Sequence, residues 1–493
     1  MTGADRRLSS AGHFLANLLP LFATQGVSWM GGLVLTIVMP RFLGDANLGR
    51  FAFAFALVGL VGLVPNLGTS TWLAKAIAQE PDRAGDLTAR VVTIRLPVAM
   101  VVATGTVFAA QALVHDLITQ RTIDVFCLVM VVMSVDLTAT LQGLHRMRVI
   151  GLANAAANLS YAGFGSLVLL TGGGPSRLAL VYVLSQAAGQ AVMAAVVLRS
   201  LRLAWRPTRG SLWLVVAGGL PFFVWQAALV IYGQIDQVML GFLSPDRVVG
   251  WYAAAYRIVS VPAFIPVLLT IVAYPALAAT TRDAVAFNAI ARRSLQVVAV
   301  ALVPVALVIG LFPGHVLHLL GYPDVFQNAR IPIVLLALHV PLVGVDMIVG
   351  TVLNARNRQL QWAVAAVAAA VLNPLLNLVA IPYTQRALGN GAVGAAAVTT
   401  LTELFLMVVG FALAPRGVFG RWTLGKGARI VLVAALSGLV AWPLRSLPFV
   451  AAVACLGAVY AALSLLAGAV TIADCRALLK EALGRLRPAA ASA

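Results

Sequence analysis

The chain has 493 residues, 61% hydrophobic and 10% charged, with a net charge of +18. Soluble domains carry about 25% charged residues, so this chain has too little polar surface to enclose a water-soluble interior. A soluble enzyme, a disordered chain and a disulfide-stapled scaffold are excluded, which leaves a polytopic membrane protein.

A bilayer crossing takes about 20 apolar residues, and the apolar runs predict about 14 transmembrane helices. In chain order they lie near 14–40, 47–78, 88–113, 122–144, 147–171, 177–200, 211–242, 248–281, 287–312, 328–353, 359–382, 391–414, 427–444 and 447–470. None alternates with period two, so a transmembrane barrel is not expected. An even count puts both termini on one side. Of the 34 Lys and Arg, 25 fall in the loops and tails of that side, eight on the opposite side, and Arg257 inside a span. By the positive-inside rule the termini are cytoplasmic. The +18 then reflects orientation and contact with anionic lipid rather than nucleic-acid binding. Arg6-Arg7 precede a run too long for a signal segment and without a small-residue cleavage site, so the run is read as the first span. Cys127, Cys455 and Cys475 are odd in number and form no disulfide framework.

The sequence repeats itself. A shift of 201 pairs Pro20 with Pro221, Gln25 with Gln226, Gly49 with Gly250, Phe51 with Tyr252, Phe55 with Tyr256 and Pro65 with Pro266. A shift of 210 pairs Asp136, Arg146 and Arg148 with Asp346, Arg356 and Arg358. The copies start six helices apart, so they enter the membrane in the same direction. The expected architecture is all-α: two pseudo-symmetric six-helix bundles, 1–205 and 206–414, around a central cavity, with two further helices and a cytoplasmic tail in 415–493. Pro20 and Pro221 each remove a backbone hydrogen bond inside a span and are candidate hinges. Pro262, Pro266 and Pro275 favour bending of helix eight.

A charge at the bilayer centre costs about 3 kcal/mol or more, so intramembrane charges are expected to face a cavity. They are Asp136, Asp236, Arg257, Asp346 and Glu403, with His339, Gln25, Gln186, Gln190, Gln226 and Gln234 as neutral partners. Asp236 and Arg257 lie on consecutive helices and are read as an ion pair, a proton site, a cation site or a structural pair. Asp136 and Asp346 stand ten residues before Arg146 and Arg356, about 15 Å along a helix. The acids then lie within the membrane and the arginines at its cytoplasmic mouth. Lys75 and Arg95 are placed to present cations to an anionic phosphate, or to snorkel to headgroups.

Other signals fail on inspection. Gly420-Arg-Trp-Thr-Leu-Gly425-Lys426-Gly427 nearly spells a Walker A loop, but Gly427 replaces the Ser or Thr that holds magnesium and no strand precedes it. Gly389-Asn-Gly391-Ala-Val-Gly394 has dinucleotide-fingerprint spacing but opens a membrane helix. No catalytic triad, metal cluster or resident cofactor is expected, and the chain is not read as an enzyme.

Arg41-Phe-Leu-Gly-Asp45-Ala-Asn-Leu-Gly49-Arg-Phe51-Ala is followed by Asn66-Leu-Gly68-Thr-Ser70. The second half adds Ile235-Asp236, then Gly250-Trp-Tyr252-Ala-Ala-Ala-Tyr256-Arg257, then Asn354-Ala-Arg356-Asn-Arg358 with Asn373-Pro374 and Asn377. Together these resemble the polysaccharide transporter family of the multidrug/oligosaccharidyl-lipid/polysaccharide exporter superfamily. The resemblance implies a flippase in a bacterial inner membrane. It would carry a polyprenyl-diphosphate-linked oligosaccharide to the outer leaflet for O-antigen, lipopolysaccharide or exopolysaccharide synthesis. The partners implied are membrane lipids, a polysaccharide polymerase and glycosyltransferases. Cations would hold the diphosphate, and Trp29, Tyr232 and Trp225 would stack on sugars. A proton or sodium gradient would drive transport, with Asp236 the first candidate for coupling. The rival readings are a multidrug and toxin extrusion antiporter and a lipid II flippase.

Overall fold

The structure, a computed structural model, describes residues 3–201, 203, 209–415, 417–418 and 420–471. Side chains are described from residue 26 onward, apart from 27, 28, 209–211, 421, 422 and 445. Every long element among these residues is helical. The first half contains α1 (Gly3–Val61), α2 (Leu63–Asn66), α3 (Thr69–Gln79), α4 (Ala84–Leu113), α5 (Leu117–Ser134), α6 (Thr138–Gly143), α7 (Met147–Leu170) and α8 (Pro175–Ser200). The second contains α9 (Arg209–Leu243), α10 (Asp246–Ser260), α11 (Phe264–Ala279), α12 (Ala284–Leu311), α13 (Pro313–Leu319), α14 (Arg330–Ala355), α15 (Gln359–Leu388) and α16 (Gly391–Leu413). The last pair is α17 (Arg421–Ala441) and α18 (Phe449–Leu466).

Twelve stretches of the described residues are long and apolar enough to cross a membrane, so this is a multi-pass membrane protein. The expected count of 14 differs at two places. Trp29–Asn66 counts as one stretch, yet α1 turns within it at Gly44 (φ 72°, ψ 178°), between the first two expected spans. A side chain strains that backbone, and glycine does not. The 24-residue α7 carries Asn154, Asn158 and Ser160, which lower its apolar content below that of its neighbours. Large side chains such as Val101 (72% exposed) and Phe108 (67%) point outward, as a lipid-facing surface requires.

Packing groups the described residues into two compact units that do not follow chain order. One comprises Met1–Ala254, Leu320–Ala329 and Ala370–Ala395, the other Ala255–Leu319, Arg330–Ala369 and Ala396–Ala493. The division expected at 205 and 414 follows the duplication instead. In the first unit Leu73, Ile77, Leu87, Val91, Ala139 and Val215 form a buried cluster under α3 and α4. In the second, Phe312, Ala441, Ala452 and Leu456 seat α17 and α18 against the end of α12.

α9 includes Pro221 within its length. The helices break at Leu67–Gly68, where both residues are left-handed (φ 50° and 67°), and at Val135–Leu137, between α5 and α6. A short 3-10 turn, Val261–Ala263, separates α10 from α11, so helix eight does bend, at Pro262. The side chains of Pro20 and Gln25 lie outside the described residues.

Candidate functional site

The motif Asn66-Leu-Gly68-Thr-Ser70 folds into a cradle for one cation. The left-handed turn at Leu67 and Gly68 reverses the chain between α2 and α3 and aims three side-chain oxygens at α4. There Arg95, only 2% exposed, donates from Nε to Thr69 Oγ1 at 2.7 Å and from Nη2 to Asn66 Oδ1 at 2.9 Å and Ser70 Oγ at 2.8 Å. All three partners are neutral. A buried charge is tolerated when it is hydrogen-bonded, and the Asp136 carboxylate, which acts on Arg95 electrostatically, lines the same pocket. Arg95 and Asn66 line a pocket of about 290 Å³ together with Asp136, Gln226 and the aromatic rings of Phe55, Phe126 and Tyr182.

Asp136 sits at the break between α5 and α6. Its Oδ1 accepts from the Thr138 N–H at 3.0 Å, the Thr138 hydroxyl at 2.6 Å and Gln190 Nε2 at 3.1 Å. The carboxylate therefore satisfies a backbone amide exposed by the broken helix while it lines the pocket. It is the only carboxylate among the lining residues.

Three separated motif segments meet at Asp236, which is 5% exposed. The Tyr252 hydroxyl donates to its Oδ2 at 2.7 Å and Asn377 Nδ2 to its Oδ1 at 2.6 Å. Asn377 Nδ2 also donates to Asn373 Oδ1 at 2.9 Å. The amide oxygen of Asn377 is buried with no hydrogen-bond partner. A carboxylate, two amide oxygens and a phenol are thus gathered, a donor set suited to a hard cation or a proton. Arg257, read with Asp236 as an ion pair, a proton site, a cation site or a structural pair, lies on α10.

The duplicated residues of the expected outer side also interlock. Arg50 Nε donates to Asp246 Oδ2 at 3.0 Å, and Trp251 Nε1 donates to Asp45 Oδ2 at 3.1 Å. These are reciprocal contacts, since 45 and 246, like 50 and 251, are related by the 201 shift. A Cβ on Gly49 would lie 1.8 Å from the Asp246 carbonyl oxygen, and one on Gly250 would lie 1.9 Å from that of Asp45. Only glycine allows such an approach. Arg50 further reaches Asp116 Oδ1 at 3.1 Å and Asn47 Oδ1 at 3.0 Å. Sequence reasoning paired Gly49 with Gly250 but overlooked Asp45 with Asp246 and Arg50 with Trp251, which the same shift would have revealed.

The remaining expected residues are dispersed. Lys75 is exposed on α3. Arg146, also exposed, donates to Ser200 Oγ at 2.6 Å at the end of α8. Arg358 does the same for Leu413 O, at 2.5 Å, at the end of α16. Both follow a left-handed residue, His145 and Asn357 (each φ 57°), and both donate their backbone N–H five residues back, to Leu141 O and Leu353 O. The structural counterpart of Arg146 is therefore Arg358, so the register here is 212 rather than 210. Arg356 instead donates to Thr281 O at 2.8 Å and lies 4.0 Å above the Phe287 ring. These arginines close helix C-termini, where a cation is favourable. Asp346 is buried at 6% exposure in the second unit, beside Glu403.

The pattern of the polysaccharide biosynthesis protein family matches residues 14–281, more than half of the 493. The chain belongs to that family. Its members' pattern spans both the Arg95 cradle and Asp236. The family member described here shares its fold with the lipid II flippase MurJ in an inward closed conformation, at a TM-score of 0.71 and 12% identity over 92% of this chain and 98% of that one. It is also similar to an inward-facing multidrug resistance MATE family transporter of the MOP superfamily, at a TM-score of 0.59 and 15% identity over 79% and 97%. The outward-facing form of such a transporter gives 0.53 and 15% over 80% and 94%. No curated protein matches the chain in sequence.

Proposed function

We propose that the protein is a flippase that moves a polyprenyl-diphosphate-linked oligosaccharide from the cytoplasmic to the outer leaflet of a bacterial inner membrane. One observation carries this reading: a buried guanidinium with neutral partners at a polar pocket. The charge of Arg95, whose hydrogen-bond partners are all neutral, attracts an anionic headgroup. Gln226 offers hydrogen bonds to sugar hydroxyls, and the aromatic rings offer apolar faces for sugar rings to stack on. The polyprenyl tail needs no protein site, because lipid already solvates it. The glycan would join O-antigen or exopolysaccharide synthesis, with glycosyltransferases supplying the substrate and a polymerase consuming it.

Transport against a gradient needs an ion whose binding differs between two states. The Asp236 site, with Asn373, Asn377 and Tyr252, has the oxygens to hold sodium or a proton, and we assign coupling to it. The test is translocation in inverted vesicles containing the protein and energised with a proton or sodium gradient. The expected result is gradient-dependent loss of lipid-linked saccharide from the cytoplasmic face. No movement of any such saccharide under either gradient overturns the proposal. The rival cargo is an organic cation, favoured by the acid pair Asp346 and Glu403. Uptake of an organic cation into the same vesicles, without saccharide movement, would establish the rival instead.

A further inference from the structure

We propose that the pocket shared by Arg95 and Asp136 selects a cargo of both signs: a phosphate held by Arg95 and, on the sugar attached to it, a cationic amine held by Asp136. The inference rests on the flippase reading for the lipid-linked nature of the cargo, and it names the class of sugar carried. Arg95 and Asp136 are the only charged residues among those that line the pocket, and their hydrogen bonds go elsewhere. Those of Arg95 leave from Nε and Nη2 and end on Thr69, Asn66 and Ser70. Its Nη1 donates to none of the described residues. Those of Asp136 all end on Oδ1 and come from Thr138 and Gln190. Its Oδ2 accepts from none of the described residues, and the side chain is half-buried. Neither Nη1 nor Oδ2 is among the side-chain atoms buried without a partner, so both remain open to a ligand.

A ligand of one sign is opposed here. A bare anion drawn to Arg95 shares a cavity of about 290 Å³ with the Asp136 carboxylate, and like charges set side by side are costly. A bare organic cation meets Arg95 for the same reason. A phosphate and an ammonium on one molecule satisfy both groups through charge-assisted hydrogen bonds, the stronger kind. The rest of the lining suits a sugar as the spacer between the two charges. Asn66 is engaged through its Oδ1, which accepts from Arg95 and Ser70, so its amide nitrogen is left to donate to a hydroxyl. Phe55, Phe126 and Tyr182 pack edge to face at centroid distances of 5.6, 5.7 and 5.9 Å, and such rings give the C–H groups of a sugar an apolar surface.

The test is calorimetric titration of the full chain in phosphatidylglycerol nanodiscs, at mildly acidic pH where a sugar amine is protonated. The probes are glucosaminyl phosphate, N-acetylglucosaminyl phosphate and glucosyl phosphate, each with its phosphate on the anomeric carbon. The wild type is expected to bind the first about tenfold tighter than the other two, as one added charge-assisted hydrogen bond requires. Asp136→Asn keeps an acceptor for Thr138. It should abolish that preference and bind glucosyl phosphate at least as well as the wild type does. Equal weakening of all three probes would make Asp136 a structural brace and overturns the proposal, as does a wild type that binds all three alike or none. Should the variant not fold, the wild type decides alone. Acetylation removes the charge and keeps the ring, so equal affinity for the acetylated probe overturns the assignment. Phosphoethanolamine bound more tightly than glucosaminyl phosphate would mark a phospholipid headgroup site and also overturns it. So does magnesium that raises glucosyl phosphate to the same affinity, because the positive partner of Asp136 is then a metal ion. A protein that shows the preference and moves no saccharide in energised vesicles refutes the flippase reading alone. Saccharide movement without the preference refutes this inference alone.

Discussion

Arg95 has three neutral partners, each supplied by one five-residue turn. Arg95→Ala removes three hydrogen bonds, leaving only the bonds from Thr69 and Ser70 to Asn66 within the turn, and a buried group left unsatisfied costs about 1–3 kcal/mol. A clearly lowered thermal midpoint in detergent is expected, with loss of saccharide translocation. Arg95→Lys keeps the charge but not the fork of donors. It should recover part of the transport and less of the stability, and full recovery of both would show that charge alone suffices. At Asp236 the carboxylate accepts from the neutral groups of Tyr252 and Asn377. Asp236→Asn preserves shape and is expected to fold with a near-wild-type midpoint while abolishing dependence on the ion gradient. Tyr252→Phe removes one neutral donor, typically worth about 0.5–1.5 kcal/mol, and should leave that dependence in place.

Between elements, the decisive contact is the reciprocal one of Asp45, Gly49 and Arg50 with Asp246, Gly250 and Trp251. Gly250→Val forces a branched side chain onto the Asp45 carbonyl, and overpacking of this kind costs about 1–3 kcal/mol. The expected outcome is a lower thermal midpoint and faster labelling of a cysteine placed at Asn47 by a membrane-impermeant thiol reagent. Unchanged labelling would show that this contact does not close the outer side. Asp116 adds a dependence on pH. Burial alone would raise its carboxyl, but the hydrogen bonds from the Thr119 hydroxyl and N–H and the charge of Arg50 outweigh it and hold the carboxyl below its ordinary value. A carboxyl lowered in the folded state stabilises above its unfolded value, about 3.9, and that contribution is lost as pH falls through the lower folded value. The midpoint should therefore fall on acidification below about pH 4. Asp116→Asn, which keeps an N-cap for α5, should reduce that fall.

At the scale of the whole molecule, the 25-to-8 split of Lys and Arg predicts that both termini are cytoplasmic. Reporter fusions at either end should be active only as cytoplasmic reporters, and a cysteine at Ser244 should react from outside. An external terminus would reverse the proposed direction of transport along with the topology. Apolar excess, helix class and membrane insertion were legible because they depend on composition and run length, which neighbours do not alter. The duplication was legible too, because the 201 shift is preserved where Asp45, Gly49 and Arg50 contact their counterparts. It failed at Arg146, where the turn after His145 matches the turn after Asn357 and moves the register by two residues.

The sequence by itself determined the solvent of this protein, its helical class, its family and the short motifs that matter, since each is a local pattern. Which motifs act together was decided only in three dimensions. Asn66, Thr69 and Ser70 became the seat of Arg95 because a left-handed turn redirects their side chains toward α4. Asp236 found Tyr252 and Asn377 because the packed helices bring these hydrogen-bond donors within reach, which no spacing in the sequence encodes.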